Sequence, residues 1–223
     1  MDQVMGWLKN LFKKRKVIMS ERKYVEGIDI YHGDDIVDWV ALSKAIDFMF
    51  IKCTEGDYRV DPDFKMYREK AQQHKIMCGF YHFYRSNKDP IEQANDVIRV
   101  VGQLNVGDLP IVCDWETEDD PADGNDISEV QKFLDAIEAH FKCVPIIYSG
   151  SSFASEKKLP DSFKRYPLWV AHYTKSTPKI PKPWSAYTFW QNTDKAIVAG
   201  VKNPCDHNFF NGTKEELLNL CKK

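Results

Sequence analysis

Residues 109–116 read LPIVCDWE: a short apolar run that ends in two acids flanking a tryptophan. A run of this length, opened by a proline and rich in Ile and Val, reads as a buried strand. Along a strand, residues i and i+2 point to the same face. Asp114 and Glu116 therefore project together, with Trp115 on the opposite side. A buried strand carrying acids at its C-terminal end is what the catalytic mouth of a β/α barrel requires.

Outward from this stretch the same texture repeats. Strand-like runs are expected at 25–30, 47–53, 76–83, 109–115, 144–148, 168–172, 187–191 and 206–209. Amphipathic segments at 36–44, 62–74, 90–104 and 127–141 alternate with the first of these, the βα pattern. Pro62 and Pro90 each follow an aspartate and read as first-turn prolines. Ser128 and Gln131 have the spacing of a capping box. From residue 149 to 210 the strands come without long helices, and prolines 160, 167, 178, 181, 183 and 204 punctuate the chain. Eight strands with about five crossovers make an α/β fold, a single modified TIM-like barrel with a degenerate second half. It would occupy residues 23–223.

With 223 residues, 43% of them hydrophobic, the chain can bury one sizeable core. A net charge of −2 gives no basic excess, so a nucleic-acid partner is not expected. The six cysteines include no C-x-x-C pair; Cys53, Cys78, Cys113 and Cys143 sit in or beside apolar runs and read as buried thiols. No run approaches the length of a membrane helix, and the N-terminus lacks the apolar region of a secretory signal. Residues 1–22 read instead as a basic amphipathic leader. Val4, Trp7, Leu8, Leu11 and Phe12 form one helical stripe beside Lys9, Lys13, Lys14, Arg15 and Lys16. Through residues 1–18 it could make weak contact with an anionic membrane or wall polymer.

Four acids stand out by position: Asp29 ends the first strand, Asp114 and Glu116 the fourth, and Asp206 lies in the last. Glycoside hydrolysis needs such a set, one acid to protonate the leaving oxygen and anions to support an oxocarbenium-like centre. Crowding raises the pKa of one acid so that it keeps its proton near neutrality. The ordinary alternative for each is a helix cap or loop residue, and Asp119, Asp120, Asp123 and Asp126 read as a solvated loop. A D-x-E at a strand end is also a metal-ligand pattern, but the six histidines lack zinc-site spacing, so no metal and no cofactor is expected. There is no G-x-S-x-G elbow and no phosphate loop.

The segments GIDIYHGDDIVDW, FIKCTEG, GFYHFYR, LPIVCDWE, PIIYSG, LWVAHY, FWQNTDKAIVAGV and CDHNFFNG come in the order and spacing of one family. Together they make the chain from Glu26 to about Gly212 resemble glycoside hydrolase family 25, the Chalaropsis-type lysozymes. The resemblance implies a (β/α)5(β)3 barrel. It also implies cleavage of the β-1,4 bond between N-acetylmuramic acid and N-acetylglucosamine in bacterial peptidoglycan glycan strands, at the cell wall. It maps the family's acids onto Asp29, Asp114, Glu116 and Asp206, with Glu116 as general acid, and implies substrate-binding aromatics at Tyr81, Tyr148, Trp169, Tyr173 and Trp190. The first motif departs from the family: Tyr31 follows Ile30, and Asp34 and Asp35 occupy the turn. Glu55, in the TEG segment, reads as a rim or structural residue. A monomer is expected. Because two acids on one strand face do not naturally flank a sugar ring, substrate-assisted retention is favoured over inversion. The competing readings are a barrel that binds glycan without cleaving it and a chitinase-like hydrolase.

Overall fold

The computed structural model describes residues 24–119 and 127–221. The basic leader expected at 1–22 lies outside the described residues. The strands are β1 (Val25–Ile30), β2 (Phe48–Glu55), β3 (Arg59–Val60), β4 (Met77–Phe83), β5 (Val112–Asp114), β6 (Ile146–Gly150), β7 (Leu168–Ala171), β8 (Phe189–Ala196) and β9 (Cys205–Phe210). The helices are α1 (Trp39–Ala45), α2 (Phe64–Gln73), α3 (Pro90–Val101), α4 (Ile127–Phe141), α5 (Ser151–Lys157) and α6 (Lys214–Leu220), with a 3-10 turn at Asp161–Arg165.

The strands follow the order β1-β9-β8-β7-β6-β5-β4-β2-β3, and pairing of β1 with β2 closes eight of them into a barrel. The short β3 is a hairpin appended to β2. Neighbours from β1 through β2, β4, β5, β6 and β7 to β8 run parallel; of the eight barrel strands only β9 is reversed, antiparallel to both β8 and β1. This is the modified α/β barrel that the alternating pattern implied.

Strand periodicity sorts the side chains into two cores. Ile28, Ile30, Met49, Ile51, Cys53, Cys78, Phe80, Cys113, Ile147 and Val170 face outward onto the helices. Phe48, Phe50, Tyr81, Val112, Ile146, Tyr148, Trp169, Phe189 and Phe210 fill the barrel. Room for the phenylalanines comes from glycine: a Cβ on Gly27 would sit 2.5 Å from the Phe48 ring, and one on Gly79 would sit 2.6 Å from Phe50. The inner face of each strand is apolar low in the barrel and turns polar one repeat higher. Gly27 precedes Asp29, Phe50 precedes Lys52, Val112 precedes Asp114, Ile146 precedes Tyr148, and Phe189 precedes Gln191. The period of two that packs the floor thus also aims the functional side chains at one opening.

Several helix starts differ from the sequence expectation. α1 begins at Trp39 rather than 36, because Ile36 bridges Val201 and the N–H groups of Val37 and Asp38 bond Gly200 O; Asp38 caps it through Ala41 N. Asp89 and Pro90 start α3 as expected, Asp89 accepting from the N–H groups of Ile91 and Glu92. Pro62 lies outside α2, since the Asp61 carboxylate is committed to Asp63 N and to His32. Ser128 is inside α4 rather than at its cap; a capping box joins Thr213 and Glu216 at α6. All six cysteines are free thiols, five of them buried and Cys143 half-buried.

Candidate active site

A cavity of about 270 Å³ opens at the C-terminal end of the parallel strands. Its walls bring Asp29, Asp114, Glu116 and Asp206 together with Tyr81, Tyr148, Trp169 and Tyr173. Lys52, Gln191, Tyr31 and Phe83 complete it. Eight of the nine site residues expected from the sequence therefore meet in one place. The ninth, Trp190, is on the other face of β8: its indole N–H donates to His172 O at 2.8 Å, and it lines a separate groove outside the barrel.

Asp29 and Asp206 face each other across the β1–β9 register. Asp29 is buried and accepts from Asn208 Nδ2 at 2.7 Å and from Gln191 Nε2 at 3.1 and 3.2 Å. Asn208 is held in turn by Trp169 Nε1, which donates to its Oδ1 at 2.8 Å. Gln191 Oε1 accepts from the hydroxyls of Tyr148 and Tyr173, both at 2.9 Å. Each amide is thereby oriented with its nitrogen toward the carboxylate, the only arrangement in which every group finds a complement. Burial, followed by the nearby charge of Asp206, pushes Asp29 well above the usual carboxylate range. Burial also lifts Asp206, to about 6, with the neighbouring charges of Asp34 and Asp194 adding to it.

Asp114 and Glu116 leave β5 on the same side, as the i, i+2 spacing requires. Asp114 is buried and its Oδ1 meets no hydrogen-bond partner among the described residues. Burial raises its pKa well above the normal value, and the charge of Glu116 raises it further, against a lowering influence of Lys52. Glu116 is also raised by burial, while a hydrogen bond with Tyr148 and the charge of Lys52 pull it partly back. Two crowded carboxyls in low dielectric share a proton to higher pH than either would hold alone. The site therefore offers both an acid and an adjacent anion.

Lys52 is the cation lining the cavity. Its Nζ lies 2.7 Å from Glu55 Oε2 and 4.9 Å from the Phe83 ring centre. Glu55 also binds Arg85; although burial works against it, these cations hold Glu55 down to about 2. Glu55 is thus a structural rim residue. Asp119 is not the solvated loop acid expected: it accepts from Arg85 Nη1 at 2.8 Å and from Ser86 N at 2.9 Å. Lys52, Gln191 and Asn208 were missed from the sequence. The i+2 rule that joined Asp114 to Glu116 also reaches Lys52 from Phe50, Gln191 from Phe189 and Asn208 from Asp206.

Comparison with known proteins agrees with this geometry. Residues 28–201 match the family model described as Glycosyl hydrolases family 25. The chain is 34% identical over 199 residues to the uncharacterized protein YegX of Escherichia coli K12, covering 86% of this chain and 72% of that one. It is 28% identical over 219 residues to Lysozyme M1 of Streptomyces globisporus, covering 93% and 74%. The crystal structure of the bacterial lysozyme from Streptomyces coelicolor superposes with a TM-score of 0.83 at 28% identity, over 90% of this chain and 98% of that one.

Proposed function

This chain belongs to glycosyl hydrolases family 25 and is a peptidoglycan hydrolase; from that premise we propose how its cavity cleaves the glycan. The bond cut is the β-1,4 link from N-acetylmuramic acid to N-acetylglucosamine. Glu116 protonates the leaving oxygen. Asp114 receives the N–H of the 2-acetamido group and turns the acetamide oxygen toward the anomeric carbon. That oxygen attacks as the leaving oxygen departs with the proton, giving an oxazolinium ion that water then opens.

The observation that carries this reading is the unpartnered Oδ1 of buried Asp114 beside Glu116. In the free site the two acids compete for one proton, and the more deeply buried Asp114 is the stronger competitor. An acetamide N–H donating to Asp114 stabilises its anion, which moves the proton to Glu116, where the reaction needs it. Substrate binding would then arm the acid. Asp29, fixed by Gln191 and Asn208, and Asp206, which faces it across the β1–β9 register, hold the sugar and keep the site negative around the developing cation.

Glu116→Gln keeps the shape but cannot give a proton, and should lower kcat roughly 10²–10⁴-fold with the fold intact. Retention of a third of wild-type turnover would remove Glu116 from the role. Proton NMR of the first-formed anomer tests the route: β supports retention, and an initial α anomer would establish inversion. The expectation that residues 1–18 contact anionic surfaces is separate. Vesicle binding that persists when Trp7 and Leu11 are changed to serine would dispose of it.

A further inference from the structure

A groove of about 1100 Å³ runs down the outer wall of the barrel beside the catalytic cavity, and Tyr173 lines both. We propose that this groove is an accessory glycan site that carries the part of the strand lying beyond the cavity. The inference rests on the glycan-hydrolase reading above.

The wall is open because of the topology. Between β7 and β8 the chain is irregular, and β8 returns directly to β9 as an antiparallel pair. Among the described residues no crossover helix covers the outward faces of these strands, whereas β4 and β5 are each followed directly by one. What faces outward is a continuous aromatic strip. Tyr24 meets Phe209 at 5.2 Å between ring centres, Phe209 meets Trp190 at 5.6 Å, and Trp190 meets Tyr187 at 6.0 Å. Tyr24 and Tyr173 are about half exposed. Phe209, Trp190 and Tyr187 are half-buried, and the faces they keep exposed line the groove.

The chemistry of the groove selects sugar over an apolar partner. Its rim is made of hydroxyls and amides, including Thr174, Ser176, Asn192 and Asn211, with Lys175 and Lys195 set against Asp194. Aromatic faces stack on the C–H faces of pyranose rings while short polar side chains bond the hydroxyls. The second argument is continuity. The catalytic cavity, at about 270 Å³, lies just below the usual size range for ligand pockets, so it can enclose only the reacting part of a polymer. The strand must leave it over an edge, and at Tyr173 that edge leads into the aromatic groove.

The test is Tyr24→Ala with Phe209→Ala, assayed on glycan strands of defined length from peptide-free peptidoglycan. KM on long strands should rise about tenfold while kcat, and all turnover of a tetrasaccharide, stays unchanged. In the Glu116→Gln background, binding to long strands should weaken by a similar factor. Tyr24→Ala alone, at the exposed edge, should show a smaller rise in KM and guards against misfolding of the double variant. Equal KM at every length overturns the proposal, as does a concentration-dependent dimer that the double variant abolishes. The glycosidase reading fails differently, through absent wild-type turnover of the tetrasaccharide.

Discussion

The parallel part of the barrel and its antiparallel seam each supply two acids, by different means. Asp114 and Glu116 come from one strand, two residues apart, and their proximity is local geometry. Asp29 and Asp206 come from opposite ends of the domain and meet only because β9 closes the barrel against β1. The local pair is left with an unpartnered oxygen, whereas Asp29 at the seam is saturated by Gln191 and Asn208. An open valence is where substrate can still make a bond, and a saturated one serves to hold shape and charge. Under the proposed mechanism, chemistry falls to the β5 pair and support to the seam.

The sharpest way to break this contrast is to neutralise one acid from each pair. Asp114→Asn should lower kcat about 10²–10³-fold, the scale for losing a preorganised electrostatic group. Asp29→Asn should cost about 10–100-fold, as for groups that act by orienting others. Equal losses, or the reverse order by initial-rate kinetics, would undo the division of labour.

The same two regions differ in what holds them together. Phe133 on α4 is fully buried, stacked 5.0 Å from His82 and edge-to-face 5.5 Å from Tyr84. Phe133→Ala should cost about 3–5 kcal/mol in urea unfolding. Ile197, at the end of the β8–β9 hairpin, is 84% exposed, and Ile197→Ala should change stability by less than about 0.5 kcal/mol. A large loss at Ile197 would mean that the uncovered wall is packed more tightly than its exposure indicates.

Legibility divides along the same line. The strands of the parallel part were readable because each is a short apolar run bounded by turn signals, and D-x-E needs only the period of two. The helix starts were less readable. Ile36 and Pro62 carry helical signals, but long-range partners, Val201 for one and the His32–Asp61 pair for the other, claim the backbone there. The seam network was invisible as a network: Gln191 and Asn208 sit in strands where either could face solvent, and only the register with β1 aims them at Asp29. Trp190 was drawn to the site by its place in the FWQ segment, yet strand alternation puts it opposite Gln191.

Lys52 acts electrostatically on the β5 pair, because its charge favours the ionised forms of both Asp114 and Glu116. Removing it should raise the pKa of each acid. The basic limb of kcat/KM, set by loss of the acid's proton, should therefore move to higher pH in Lys52→Met and stay near wild type in Lys52→Arg. A downward shift would show that Lys52 acts through Glu55 and the rim instead.

A further expected effect concerns what the seam costs the fold. An unfolded aspartate titrates near 3.9, whereas Asp206 in the folded protein titrates at about 6 because of burial and its acidic neighbours. Between those values the folded state binds more proton than the unfolded one. The stabilisation from that proton is therefore complete below pH ~3.9 and lost as pH rises through about 6. Above that pH the folded protein carries an unfavourable charge that Asp206→Asn removes. A shift of roughly two units would be worth about 3 kcal/mol at most, but Asp206 is partly exposed and shares its environment with Asp29, so solvent screening reduces this to about 1 kcal/mol. Urea unfolding should find Asp206→Asn more stable than wild type by that amount at pH 7.5, with the gain gone at pH 4. A gain independent of pH would place its cause in packing, and no gain at pH 7.5 would mean that the seam carries its charges without cost.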